Sequence, residues 1–113
     1  MISSLAGVKV VWSREDDIQH DYYRPPTYTR FAASLGADGL PTGLTARVVC
    51  PSIMAASMGA PRAAFDDSAV EGIANQPYGI PNLLVDAVQP SWAVPLGFWR
   101  SVGSSQNGFT YES

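Results

Sequence analysis

The chain has 113 residues, enough for one small domain, and its charged share of 15% is well under the roughly 25% usual for soluble domains. Such a deficit suits surfaces that are partly covered by other protein. Seven Lys and Arg against ten Asp and Glu leave a net charge of −3, so there is no basic footprint to argue for nucleic acid. No apolar run approaches the roughly 18 residues that a bilayer span requires. The opening residues 1–7 lack the basic flank and apolar core of a signal peptide. A lone cysteine, Cys50, excludes an internal disulfide and a thiolate metal cluster, and reads most simply as a small buried hydrophobe near a strand end.

In chain order, Val8-Lys-Val-Val-Trp12 is β-branched and aromatic and predicts a first strand. Ser13, followed three residues later by Asp16, predicts the cap of one short helical turn. His20 with Asp17 and Asp21 could suggest a metal or acid–base pair, but a single His without a cluster reads as solvated polar surface. Arg24-Pro25-Pro26 fixes an extended path and excludes helix. Thr27–Leu35 alternates as a half-buried strand, with Tyr28, Arg30, Ala32 and Ser34 on one face and Thr29, Phe31, Ala33 and Leu35 on the other. Asp38-Gly39 marks a turn, and Leu44–Cys50 predicts the returning strand of a hairpin.

Residues 51–67 are small, Met- and Ala-rich and broken by Pro61, which predicts a loop with one helical turn, covered by another part of a parent protein. Asp67 or Ser68 is expected to cap a short helix ending near Ala74. Tyr78-Gly-Ile-Pro-Asn82 reads as a turn, and Asn82–Gln89 as the third long strand. Pro90 and Pro95 bracket a loop carrying Trp92. The Ser-Ser-Gln-Asn run predicts a terminal helix starting near Asn107. These elements make one α+β domain over 1–113, with a mixed or antiparallel sheet and one or two short helices on one face. With a first strand starting almost at once and a last helix stopping within its first turns, both ends have the profile expected of an excised domain.

Pro95–Phe109 is the stretch with the most chemistry. It joins Phe98 and Trp99 to Arg100, then to small residues with Gly103 and Gly108. Glycines let backbone N–H groups approach a ligand closely, and an Arg fork suits phosphate or carboxylate. The same composition also describes an ordinary strand–loop–helix junction.

Three segments in order resemble the molybdenum-binding subunits of the xanthine dehydrogenase and aldehyde oxidase family. Lys9-Val-Val-Trp-Ser-Arg-Glu-Asp-Asp17 is similar to that family's strand ending in Arg-Glu-Glu or Arg-Glu-Asp. Tyr78-Gly-Ile-Pro-Asn-Leu-Leu-Val85 is similar to its Tyr-x-Ile-Pro-Asn-x-x-Val segment. Phe98-Trp-Arg-Ser-Val-Gly-Ser-Ser-Gln-Asn-Gly-Phe109 looks like its Phe-Arg-Gly-Phe-Gly-x-Pro-Gln cofactor loop. The Trp-Arg-Ser-Val-Gly form and His-Asp-Tyr-Tyr-Arg-Pro at 20–25 most resemble the isoquinoline 1-oxidoreductase beta-subunit branch found in bacteria.

The resemblance implies a molybdenum cofactor-binding domain and hydroxylation of an aldehyde or N-heterocycle, with water as the oxygen source. It implies molybdopterin, often in the cytosine dinucleotide form. The partners it implies are the remainder of the subunit and an iron–sulfur partner subunit that receives the electrons. By position, Arg100, Ser101, Gly103 and Gln106 fall in the cofactor loop. Val102 takes the place of an aromatic residue that packs on substrate, so the pocket should differ in shape. Ser101 and Ser105 replace a Gly and a Pro, and Ser104 stands where close relatives often have His. The family's catalytic glutamate lies in a segment far beyond these motifs, and Glu112 reads as an early-helix carboxylate. No catalytic residue or metal ligand is therefore assigned, and the 113 residues alone are expected to be inactive. The competing readings are a non-catalytic subunit-docking domain and a small ligand-binding module built on Arg100 and the glycines.

Overall fold

The computed structural model describes residue 7, residues 9–59, residue 61 and residues 64–113. It shows an α+β fold. Helix α1 (Arg14–His20) precedes the hairpin β1 (Tyr28–Leu35) and β2 (Pro41–Val49). A short helix α2 (Ile53–Ser57), a 3-10 turn (Asp67–Ala69), strand β3 (Leu83–Val88) and helix α3 (Val102–Glu112) follow. The three strands form one sheet in the order β1-β2-β3. β1 pairs antiparallel with β2, and β2 pairs parallel with β3, so the sheet is mixed.

Strand alternation positions the core. Ala46 and Val48 project from one face of β2 and, with Cys50 just past its end, are buried with Ala69, Val70 and Ile73. Phe31, Val85, Ala87 and Tyr111 pack around this cluster. The ring of Phe31 meets Tyr111 of α3 edge-on at 5.9 Å, which fixes α3 over the inner face of the sheet. Burial pushes the Cys50 thiol pKa up, as an inert core cysteine requires.

Ser13 caps α1 as expected: its Oγ accepts from the Asp16 N–H at 3.1 Å and donates to the Asp16 carboxylate at 2.8 Å. The helix runs on to His20 rather than stopping after one turn, yet it buries no residue. His20 is exposed, its Nδ1 2.8 Å from the Asp16 carbonyl.

Four boundaries differ from expectation. Residues 9–12 are not a strand and lie exposed, and Val8 is outside the described residues. A β-prone sequence needs a neighbouring strand to take up its backbone groups, and among the described residues none stands beside it. β2 opens at Pro41, three residues before Leu44, so the hairpin loop is shorter. The cap of the 3-10 turn is Asp66, not Asp67 or Ser68. Finally, α3 begins at Val102 rather than near Asn107 and spans 11 residues.

The Cα radius of gyration is 18.5 Å, against about 13 Å for a compact domain of this length. The exposed segment 9–22 contributes no buried side chain to the fold.

Candidate functional site

The 98–109 segment is organised by an arginine from the other end of the chain. Tyr23 and Leu96 form a parallel bridge, with the Tyr23 N–H donating to Pro95 O at 2.9 Å and the Gly97 N–H to Tyr23 O at 3.1 Å. The Trp99 indole N–H donates to Tyr22 O at 2.9 Å. These bonds bring Arg24 beneath the start of α3. Its guanidinium donates to Arg100 O at 2.9 Å, to Val102 O at 2.7 Å and to Gln106 Oε1 at 3.1 Å.

That clamp holds an unusual backbone. Ser101 has φ 68° and Val102 φ 40°, two consecutive left-handed residues without glycine. A β-branched residue in that region is strained, and such strain gathers where the surroundings over-determine a functional conformation. The Val102 N–H reaches Trp99 O at 3.0 Å, which closes the turn. The Ser101 side chain makes no capping bond, so it does not use the first-turn N–H groups of α3.

The expected site residues divide into two sets. Arg100 and Ser101 face solvent, and the Arg100 guanidinium has no partner among the described residues. Val102 is half-buried. Gly103 is buried on the Ser68 carbonyl, where a Cβ would overlap that oxygen, so its missing side chain serves the contact between α3 and the 3-10 turn. Gln106 turns inward: its Oε1 takes the Arg24 bond, while Nε2 is covered and has no partner among the described residues. Phe98 and Trp99 stand about half exposed beside Arg100.

The other resembling segments are placed unequally. Tyr78 stacks on Tyr111 with centroids 5.8 Å apart and donates its hydroxyl to Glu112 at 2.8 Å. That bond, foremost, raises the Tyr78 pKa above its ordinary value and gives Glu112 a structural partner. Residues 78–85 thus reach α3 at Tyr111 and Glu112, just past the 98–109 segment, while 9–17 stays apart. Arg24 is the organising residue that sequence reasoning missed. The clue was its place inside His-Asp-Tyr-Tyr-Arg-Pro, a motif noted for its likeness and not for its bonds.

For a pterin carrying phosphate, the outward donors fit. Arg100, the Ser101 hydroxyl and an uncapped helix start suit a ligand rich in acceptors. The inward amide of Gln106 and the packed Gly103 act on the framework behind them. Among the described residues no three His, Cys, Asp or Glu side chains gather as a protein-held metal would need. No described helix is long and apolar enough to cross a membrane.

The fold and site define a small α+β domain whose last helix starts from a strained, arginine-held turn. No family model, curated protein or solved structure matches the chain.

Proposed function

We propose that the chain is part of the molybdopterin-binding subunit of a molybdenum hydroxylase of the xanthine dehydrogenase and aldehyde oxidase type. The observation that best supports this reading is the Arg24 clamp. It joins two separately resembling segments, 20–25 and 98–106, and fixes the backbone from Arg100 to Val102 with Arg100 facing outward.

In that role the Arg100 guanidinium and the first-turn amides of α3 bind phosphate or carbonyl oxygens of the cofactor. Ser101 orients them through its left-handed backbone. Phe98 and Trp99 shield one side of the site from water, and Val102 leaves more room than an aromatic residue would. When bound, the cofactor supplies insertion of a water-derived oxygen at an electron-poor carbon. This chain contributes binding and orientation, and the base comes from another part of the subunit.

Dye-linked oxidation by the native protein that contains this chain tests the reading, with a panel of aldehydes and N-heterocycles. At least one substrate should be oxidised, and Arg100→Ala should lower its turnover more than tenfold with far-UV circular dichroism unchanged. A cofactor-replete preparation that oxidises no member of either class overturns it.

A further inference from the structure

The two faces of the sheet are covered unequally. α3 lies over the inner face, whereas the outer face stands in solvent. In register, the outer rows read Tyr28–Val49–Val88, then Arg30–Arg47–Asp86, then Ala32–Thr45–Leu84. Tyr28 is 67%, Leu84 62% and Val88 49% exposed. All-parallel sheets are normally covered on both faces, and the β2–β3 pair of this mixed sheet is parallel.

Shape and charge narrow what fits there. Ala32, Gly43 and Thr45 floor a trough of about 560 Å³, with Leu84 and Asn82 along it. Small residues in the middle of a sheet let a cylinder approach closely, and a flat strand would instead add at an edge. The middle row is unbalanced. Asp86 is spent on Arg47, whose Nε lies 3.0 Å from both carboxylate oxygens and whose Nη2 lies 2.5 Å from one. Arg30 sits directly opposite Arg47 and has no partner among the described residues. Like charges directly opposite in a sheet repel, and a carboxylate above Arg30 relieves that repulsion. A second copy docking face to face would set two arginines for every aspartate against the same excess, so self-pairing is disfavoured.

We propose that the outer face of this sheet docks an amphipathic α-helix of a partner protein, with an Asp or Glu of that helix over Arg30. The surface is formed by the sheet alone and does not depend on what binds at Arg100.

Selection of a displayed random-peptide library against the whole chain tests this. The selected helices should carry an apolar stripe at i, i+3 or i+4, and i+7, with Asp or Glu at its margin. Arg30→Glu should weaken them at least tenfold, and replacing the helix acid by Lys should restore binding to that variant. Leu84→Asp should abolish binding. Arg30→Glu gives Arg47 a second carboxylate neighbour, so the variant should melt no lower than the parent, which separates lost docking from lost folding. The proposal is overturned if no helix is selected, if the binders are extended, or if they ignore both substitutions. It is equally overturned if the chain alone dimerises in sedimentation equilibrium and Leu84→Asp dissociates it.

Discussion

Arg24 and Val102 are 78 residues apart in sequence, yet the Arg24 Nη1 donates to the Val102 carbonyl at 2.7 Å. The bond fastens the extended Tyr-Tyr-Arg-Pro segment to the first residue of α3 at the point where the backbone is least relaxed. The candidate site therefore rests on a charge-assisted contact and not on the intrinsic preference of its own loop.

Removing that contact should be costly. Hydrogen bonds from a charged donor contribute about 1.5–3 kcal/mol, and the three made by Arg24 act as one unit. Arg24→Ala is expected to lower unfolding free energy by about 2–3 kcal/mol in urea titration. Amide exchange at residues 101–106 should speed up more than exchange in β2. Arg24→Lys should recover only part of the loss, since an ammonium lacks the planar fork that reaches several acceptors at once.

The glycines of α3 should respond in opposite directions. A methyl at Gly103 would collide with the Ser68 carbonyl, so Gly103→Ala is expected to cost about 2–3 kcal/mol by displacing α3 from the 3-10 turn. Nothing lies within 4 Å of the Cβ direction at Gly108, so Gly108→Ala should stabilise the helix by about 0.5–1 kcal/mol. Thermal unfolding of the two variants side by side checks both signs.

The hairpin and the third strand were legible because they depend on local alternation and turn residues: Thr29 and Phe31 on one face, Asp38-Gly39 at the bend. The start of α3 was not. Val-Gly-Ser-Ser-Gln-Asn is a poor helix former, and the helix is held by distant partners. Asn107, fully buried, donates to Ala69 O at 3.0 Å and Glu71 O at 2.9 Å, while Arg24 fixes the first turn. Residues 9–12 show the converse, with strong β propensity and no partner strand among the described residues. Gly103 depends on distant information in the same way, since the close approach that its missing side chain permits is to Ser68.

Asp66 should give the fold an acid limit. Burial alone would raise its carboxyl pKa, but bonds from Ser68, Met54 and Ser52 outweigh that and hold it below the ordinary carboxylate value. A depressed carboxylate contributes stability that is complete above its unfolded pKa of about 3.9 and is lost as pH falls through the folded value. Urea midpoints should therefore be level near neutrality and fall as pH drops below about 4. Asp66→Asn should be less stable at neutral pH and should flatten the part of the acid slope that Asp66 supplies.

The most direct measurement for the central claim is the molybdenum and pterin content of the purified native protein that contains this chain, set beside its Arg100→Ala form. Molybdenum and pterin should be present in equal amounts, near one of each per chain, with a marked loss of both in the variant at unchanged folding. A well-folded native protein that carries neither, or a variant that retains both in full, would contradict it.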